Sequence, residues 1–232
     1  MPTHFLLTTK SDVMMKKLIT TGFILGLGLL SLNALAADVA AGKAKTVMCA
    51  GCHGADGNSP APTAPKLIGQ NEKYIAKQLK DFVTPADKGG RFSPIMGGMA
   101  AGLTEADRAN VAAYFASQQA KVTAAPAVSD EDLAIGERIY RGGNETTGVP
   151  ACIGCHAPKG NGNAGAGWPR LAGQHADYVV TQLQQFRIAA QYPEDNSKGR
   201  RNDGDSKLMR DVSAHLTDRE IAAVAAYVQG LH

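Results

Sequence analysis

Cysteine and histidine form the same short pattern at two places in the 232-residue chain. The pattern is Cys-x-x-Cys-His, at Cys49–His53 and again at Cys152–His156. It is typical of c-type haem attachment, in which two thiols add across the porphyrin vinyl groups and the following His ligates the iron. We therefore predict two covalently bound haem c groups. Their attachment residues are Cys49, Cys52, Cys152 and Cys155, and their axial histidines are His53 and His156.

Two other uses of paired cysteines compete with haem. A structural zinc site would have to join two pairs that stand 103 residues apart and that each carry their own His. A redox-active disulfide would be expected within a thioredoxin-like βαβ pattern, and the sequence has no such pattern. Both alternatives are therefore weaker than haem.

The second axial ligand of each iron can be sought by elimination. Between residues 37 and 118, which contain the first motif, His53 is the only histidine, so a methionine sulfur is the soft donor that remains. The methionines in this range are Met48, Met96 and Met99. Met48 adjoins Cys49 on the attachment side of the haem, which leaves Met96 and Met99.

The second half of the chain decides between these two methionines. Its single methionine, Met209, lies eight residues before Thr217, and the same count back from the matching Thr104 reaches Met96. We predict Met96 and Met209 as axial ligands and Met99 as a packing residue, while ordinary core methionines remain the alternative. The second half also offers two weaker candidates, which we expect to face solvent near helix starts: His175 and His215.

Each axial histidine also needs a partner for its other ring nitrogen. A ligating imidazole usually donates that N–H to a carbonyl, which fixes the orientation of the ring. Pro65 follows His53 by 12 residues, and Pro169 follows His156 by 13. We predict that these two prolines supply the carbonyls. The residues after them are cations that suit either haem propionates or solvent: Lys66 and Arg170.

The two motifs lie in two copies of one unit of about a hundred residues. The matched segments keep their order: Pro65–Gln70 with Pro169–Gln174, Tyr74, Gln78 and Phe82 with Tyr178, Gln182 and Phe186, and Val111–Tyr114 with Val224–Tyr227. Residues 119–128 are rich in Ala, Val and Pro and read as a linker. We predict domains over 37–118 and 129–232.

Helices must position these motifs. We predict one from about Asp38 to Met48, running into the first cysteine, with a counterpart that begins near Ser129. A middle helix carries the Tyr, Gln and Phe of each copy, and we assign its tyrosines to the core. Capping signals start the last helix at Thr104 and Thr217. The fold class is therefore all-α, with two small helical bundles, and haem supplies the bulk that the 6% aromatic content lacks.

The first 36 residues have the features of a targeting segment rather than of a folded domain. Lys16-Lys17 precede an apolar run over 18–32, and small residues follow up to Ala36. This is typical of a cleaved secretory signal peptide, since the run is short for a membrane anchor. We predict export to the periplasm. The tandem Met14-Met15 favours a start codon later than residue 1.

Charge narrows the class of partners. The formal net charge is +3, but residues 1–36 hold three lysines and one aspartate, so the remaining chain carries only +1. Four haem propionates would make the holoprotein close to neutral or mildly acidic. The sequence therefore indicates no nucleic-acid partner, and docking must depend on local charged patches.

The chain after residue 36 resembles the cytochrome c4 family throughout its length. The resemblance rests on both haem motifs, on the Pro-Lys/Arg-Leu-x-Gly-Gln segments, and on four further stretches: 57–62, 202–205, Met209-Arg210 and 227–232. It implies two fused class I cytochrome c domains with His/Met ligation of both irons. It also implies that the Pro carbonyls support the axial histidines, and that electrons pass toward a terminal oxidase.

Six-coordinate irons leave no open position for a substrate, so we expect a carrier of single electrons and not an enzyme. The expected partners are redox proteins, either a respiratory complex or a terminal oxidase. Peripheral membrane association and the oligomeric state stay open. Three alternatives remain: a dihaem peroxidase-like enzyme, a haem subunit of a larger oxidoreductase, and a sensor of small gases.

Overall fold

The computed structural model describes residues 37–121, 124 and 126–232. Regular structure in this part of the chain is helical, apart from two isolated antiparallel bridges, Asn144–Val149 and Asn163–Trp168. The predicted signal segment, 1–36, lies outside the described residues. Among the helices that are described, none is long and apolar enough to cross a membrane.

The helices follow the duplication. Those of the first half are α1 (Val39–Lys45), α2 (Ala50–His53), α3 (Glu72–Asp81), α4 (Pro94–Ala101) and α5 (Glu105–Ala116). Those of the second half are α6 (Asp130–Gly142), α7 (Ile153–His156), α8 (Ala176–Gln191), α9 (Leu208–Ala214) and α10 (Asp218–Gly230). Two short 3₁₀ turns lie in the first half, at Thr46–Met48 and Ala86–Lys88.

The first helix of each half begins where the sequence predicts. Asp38 caps α1 by accepting hydrogen bonds from the amides of Ala40 and Ala41, which satisfies two of the free N–H groups at a helix start. The 3₁₀ turn at Thr46–Met48 then carries the chain directly into Cys49. Ser129 caps α6 in the same manner, through the amide of Asp132.

The last helix of each half starts with a full capping box. Thr104 Oγ1 accepts from the Asp107 amide at 3.1 Å, and the Asp107 carboxylate accepts from the Thr104 amide. Thr217 and Glu220 repeat this exchange at the start of α10. Both predicted helix starts are confirmed, and the first, which the sequence shows only in a loose form with Asp at the third position, is complete.

The first and last helices of each half cross in backbone contact. A Cβ atom on Gly42 would lie 2.0 Å from the Asn110 carbonyl oxygen, and one on Gly136 would lie 2.2 Å from that of Ala223. Only glycine permits this approach. Because α1 and α6 lead toward the haem motifs, the crossing fixes each motif relative to the helix that closes its half.

Each half buries its own apolar cluster. The first consists of Ile75, Leu79, Ala100, Val111, Ala112, Tyr114 and Phe115. The second consists of Ile139, Tyr140, Val149, Ala172, Val179, Leu183, Leu216, Ile221, Val224, Ala225, Val228 and Leu231. The predicted all-α fold class with two tandem bundles therefore holds for the described residues.

One prediction about the middle helices is wrong. Tyr74 and Tyr178 do not lie in the cores of their own halves: their hydroxyls accept hydrogen bonds from Arg200 and Arg91 respectively, each from the opposite half. The core side of α3 is instead formed by residues such as Ile75 and Leu79. The tyrosines therefore belong to the contact between the two halves.

Candidate haem-binding sites

The first motif presents a buried imidazole whose orientation is fixed by a hydrogen bond. His53 ends the single-turn helix α2, is 6% exposed, and donates from Nδ1 to the Pro65 carbonyl at 2.9 Å. Burial lowers the pKa of His53, and the hydrogen bond to Pro65 opposes this. The ring is therefore neutral near pH 7, and with its proton on Nδ1 it keeps the Nε2 lone pair for a metal.

The second site repeats this geometry. His156 ends α7, is 7% exposed, and donates from Nδ1 to the Pro169 carbonyl at 3.0 Å. Burial also lowers the pKa of His156. The structure thus places the Pro65 and Pro169 carbonyls at the histidine nitrogens with which the sequence predicts that they pair.

The four cysteines form no disulfide among the described residues and lie in two distinct environments. Cys49 and Cys152 are half-buried against the apolar cluster of their own half, while Cys52 and Cys155 are exposed. Burial raises the pKa of the Cys49 thiol, and raises that of Cys152 to about 11. Neither buried thiol is therefore activated as a thiolate in the protein alone.

The zinc alternative finds no support in this geometry. Within residues 37–121, 124 and 126–232, no three His, Cys, Asp or Glu side chains are grouped as a metal site would require. The two Cys-x-x-Cys pairs lie in separate halves, and each is followed directly by its own histidine.

Each predicted sulfur ligand packs on the same cluster as a cysteine of its own motif. Met96 on α4 and Cys49 both contact the first cluster, and Met209 on α9 and Cys152 both contact the second. In each half, one thioether and one attachment cysteine therefore contact the same apolar cluster. Met48, in contrast, is 65% exposed.

Local contacts fix the two methionine-bearing helices. Ser93 Oγ caps α4 by accepting from the Met96 amide at 3.3 Å. Ahead of Met209, Asp203 accepts from both the amide and the Nε of Arg210, at 2.9 and 2.7 Å. These polar anchors hold the chain on either side of residues that the sequence selected only by their register.

The two histidines named as weaker candidates behave differently. His215 is exposed at the end of α9, as predicted. The prediction that His175 faces solvent is wrong, because this ring is half-buried and its Nε2 lies 2.9 Å from the Ser59 carbonyl oxygen of the other half. Its role is to join the halves.

Lys66 and Arg170 are neither plain surface charges nor fully buried. Both are half-buried, and burial lowers the pKa of each. The Arg170 guanidinium also donates to the Asn161 side chain. This intermediate environment leaves both of their predicted roles open.

A polar cluster between the halves was missed by the sequence reasoning. Arg91 donates to Gln78 Oε1 at 2.8 Å and to Gln182 Oε1 at 2.6 Å. Arg200 donates to the same two oxygens, each at 2.9 Å. Two guanidinium groups from opposite halves therefore share two amide oxygens.

This cluster holds more positive than negative charge. Its carboxylate is Asp81, which is paired with Lys77 and accepts from the Asn202 amide. Within the described residues, Arg91 and Arg200 make no hydrogen bond to a carboxylate, and Asp81 acts on Arg91 only through its charge. Because buried charge is costly unless paired, the cluster suits a cofactor that carries carboxylates. Matched Gly-Arg pairs, Gly90-Arg91 and Gly199-Arg200, were the available sequence signal.

The donor set of each half fits a covalently attached haem. One neutral imidazole has a free nitrogen, two thiols precede it by one and four residues, and one thioether packs on the same cluster. These are the groups that attach the porphyrin and bind its iron on two sides.

Comparison with known proteins agrees with this geometry. A family model described as Cytochrome c matches residues 39–119 and 134–232. Cytochrome c4 of Pseudomonas aeruginosa is 46% identical over 220 residues, covering 94% of this chain and 100% of that protein. Cytochrome c4 of Azotobacter vinelandii is 45% identical over 224 residues, again covering 94% and 100%.

A solved structure gives the same result for the fold. The crystal structure of reduced recombinant cytochrome c4 from Pseudomonas stutzeri matches with a TM-score of 0.76 and 44% identity, covering 85% of this chain and 100% of that one. The predicted resemblance is therefore confirmed, as are the two covalent haem c groups and the role of an electron carrier rather than an enzyme. The chain belongs to the cytochrome c4 family.

Proposed function

We propose that the protein carries single electrons in a periplasmic respiratory chain and delivers them to a terminal oxidase. One observation carries the proposal: each half buries a neutral imidazole held at Nδ1 and packs a methionine on the cluster that its attachment cysteine contacts. Two such sites in one chain suit a two-electron store that is filled and emptied one electron at a time.

The proposed ligands follow from that arrangement. Cys49 and Cys52 attach the first haem, and the second is attached by Cys152 and Cys155. His53 and Met96 would ligate the iron of the first haem, and His156 and Met209 would ligate that of the second. The proposed haem domains are 37–118 and 129–232, joined by the linker 119–128, with 1–36 as a cleaved export signal.

The protein's own residues set the conditions for the electron transfer that haem supplies. Pro65 and Pro169 keep the imidazole proton on Nδ1, so the ring stays oriented and neutral. A methionine opposite the histidine raises the reduction potential and closes the sixth position to substrates. Arg91 and Arg200 would pair with haem carboxylates, since in the described residues they donate to the amide oxygens of Gln78 and Gln182 and not to a carboxylate.

Replacing the methionines one at a time tests this ligation. Met96→Ala and Met209→Ala holoproteins should each lose half of the ferric methionine–iron charge-transfer absorption and should bind carbon monoxide at one haem. Met99→Ala and Met48→Ala are the matched controls and should retain the wild-type spectrum. Ready binding of carbon monoxide by the wild type, or catalytic turnover of peroxide, would contradict the carrier.

Two measurements test the location and the acceptor. Mass spectrometry of the holoprotein from a periplasmic fraction should show a chain that begins at residue 37, whereas a cytoplasmic holoprotein retaining residues 1–36 would refute export.

Membranes that contain a terminal oxidase should oxidise the reduced protein at a rate that inhibitors of that oxidase abolish. An inhibitor-insensitive rate would exclude the oxidase as acceptor.

A further inference from the structure

Two buried glutamines each reach from one half of the molecule to the backbone of the other. Gln174 Oε1 accepts from the Lys66 amide at 2.9 Å, and its Nε2 donates to the Lys66 carbonyl at 2.9 Å. Gln70 does the same with Arg170, at 2.7 Å to the amide and 2.8 Å to the carbonyl. Each side-chain amide thus pairs with both the N–H and the C=O of one backbone residue, as a neighbouring β-strand does.

The amides that they bind belong to the peptide groups that hold the axial histidines. The Pro65 carbonyl, which accepts from His53, and the Lys66 N–H, which donates to Gln174, are the two ends of a single peptide group. In the second half, the peptide group that joins Pro169 to Arg170 links His156 to Gln70 in the same way. Each histidine is therefore connected through one peptide group to a glutamine of the opposite half.

The orientation of each side-chain amide follows from a second contact. Gln174 Oε1 also accepts from the His175 amide at 3.1 Å, and Gln70 Oε1 accepts from the Asn71 amide at 2.9 Å. Each oxygen thus lies between two N–H donors, a place that the NH₂ end of the glutamine cannot fill. Both glutamines are buried, with 5% and 7% exposure, so water does not compete effectively for these contacts.

A hydrogen bond at one end of a peptide group strengthens the other end. When the N–H donates to a glutamine oxygen, the peptide is polarised and its carbonyl oxygen becomes a better acceptor. A better acceptor at Nδ1 increases the basicity of the ligating imidazole. A more basic imidazole stabilises ferric over ferrous iron, which lowers the reduction potential.

We propose that Gln174 lowers the reduction potential of the haem held by His53, and that Gln70 lowers that of the haem held by His156. Both are positioning residues that act through a peptide group, and each acts on the haem of the opposite half. The proposal rests on the axial ligation proposed above. It assigns to these two glutamines a part in setting the driving force for electron transfer.

Glutamine-to-methionine holoproteins test the proposal, because methionine keeps the approximate shape and removes both hydrogen bonds. We expect Gln174→Met to raise the reduction potential of the haem attached at Cys49. The equilibrium constant for reduction of this haem should increase about two- to threefold. Gln70→Met should do the same for the haem attached at Cys152. The potentials are measured by NMR-monitored redox titration, with each haem assigned through contacts to its own cysteines.

A second readout follows the histidines themselves. In ¹⁵N-histidine-labelled reduced protein, the Nδ1 resonance of His53 should move in Gln174→Met, and that of His156 should stay. Gln174→Glu restores an acceptor oxygen, so the potential should return to the wild-type value or fall below it. A glutamine that only held the halves together would raise the potential in both variants.

Matched controls remove other bonds between the halves and leave both peptide groups intact. Asn71→Ala deletes a donor to the Trp168 carbonyl, and His175→Ala deletes the contact with Ser59. We expect neither to produce a shift confined to one haem. Equal shifts at both haems in the glutamine variants, shifts at the haem of the variant's own half, or similar shifts in the controls would each overturn the proposal.

The wild-type spectrum separates this test from the proposed function. If the wild type lacks methionine–iron charge-transfer absorption, the proposed ligation fails first. If that absorption is present and the crossed shifts are absent, only the role of the glutamines fails.

Discussion

The N-terminal and C-terminal halves secure the chain that follows the motif histidine with different tyrosines. In the first half, Tyr114 on the last helix donates its hydroxyl to the Ala55 carbonyl at 2.8 Å. In the second half, Tyr140 on the first helix donates to the Ala157 carbonyl at 2.7 Å. The repeat pairs Tyr114 with Tyr227, yet Tyr227 is not the donor to that carbonyl.

This difference shows that both halves need a hydroxyl donor to the carbonyl behind the motif, although the donor comes from a different position of the repeat in each half. In both halves the hydrogen bond to this carbonyl is partly buried, so a donor from the protein stabilises it. The close crossing at Gly42 and Gly136 brings the first and last helices together, so either helix can supply the hydroxyl. Tyr227 instead packs its ring 5.5 Å from that of Tyr140.

A second difference lies one turn after each predicted methionine ligand. Ala100 follows Met96 by four residues, and Ser213 follows Met209 by four; both are completely buried. Among the described residues, Ser213 Oγ is one of two buried side-chain polar atoms without a hydrogen-bond partner. The second half therefore carries a polar cost that the first half avoids.

The helix crossing is where the halves should respond alike and most strongly. We expect Gly42→Ala and Gly136→Ala each to lower the free energy of unfolding by about 3 kcal/mol or more, because the new Cβ meets backbone. Gly142→Ala is the control, since a Cβ there meets nothing within 4 Å. Denaturant unfolding of the holoproteins measures the effect. A loss below about 1 kcal/mol in either glycine variant would mean that the crossing is not shared.

The tyrosine hydroxyls should separate the halves. Tyr114→Phe and Tyr140→Phe should each lower the free energy of unfolding by about 1 kcal/mol, because each removes a partly buried hydrogen bond. Tyr227→Phe keeps the ring and loses no bond to the chain behind the histidine, so we expect a change within about 0.5 kcal/mol. Thermal unfolding of the three holoproteins makes the comparison. If Tyr227→Phe were the costly variant, the repeat would have predicted the donor correctly.

Exchanging the buried residues that follow the methionines should reverse the difference in polar cost between the two halves. Ser213→Ala should raise the free energy of unfolding by about 1 kcal/mol, since it removes an unpaired hydroxyl. Ala100→Ser should lower it by a similar amount. Urea unfolding at fixed pH reads both changes, and an unstable Ser213→Ala protein would show that the hydroxyl has a favourable partner in the holoprotein.

Acid should affect the first half through its capping carboxylate. Hydrogen bonds from Lys45 and then Thr104 lower the pKa of Asp107 from 3.8 to about 2. The stabilisation is therefore complete above the pKa of the unfolded chain and is lost as the pH falls from about 4 toward 2.

Asp107→Asn should remove that part of the pH dependence, and acid titration of unfolding measures it. Glu220→Gln is the matched change in the second half. There burial raises the pKa of Glu220, but the hydrogen bonds from Thr217 and Asn144 outweigh it and the pKa is lowered. If Asp107→Asn and the wild type lose stability in parallel below pH 4, this carboxylate does not contribute.

The features that the sequence predicted are those that lie close together in it or repeat at fixed spacing. The motifs, the proline carbonyls and the helix caps each depend on a few residues within one half. The Arg91–Arg200 cluster and the reach of Gln70 and Gln174 depend on how the halves dock, which local patterns do not encode. The prediction that Tyr74 is a core residue fails for the same reason, because helical periodicity indicates that one side of a helix is buried but not which half of the molecule covers it.

The proposed ligation is tested by ferric and ferrous absorption spectra of the purified protein, together with its haem-to-protein ratio. We expect two haems per chain, both low-spin, with methionine–iron charge-transfer absorption in the ferric form. One haem per chain, a high-spin component, or charge-transfer absorption that persists after both Met96 and Met209 are replaced would contradict it.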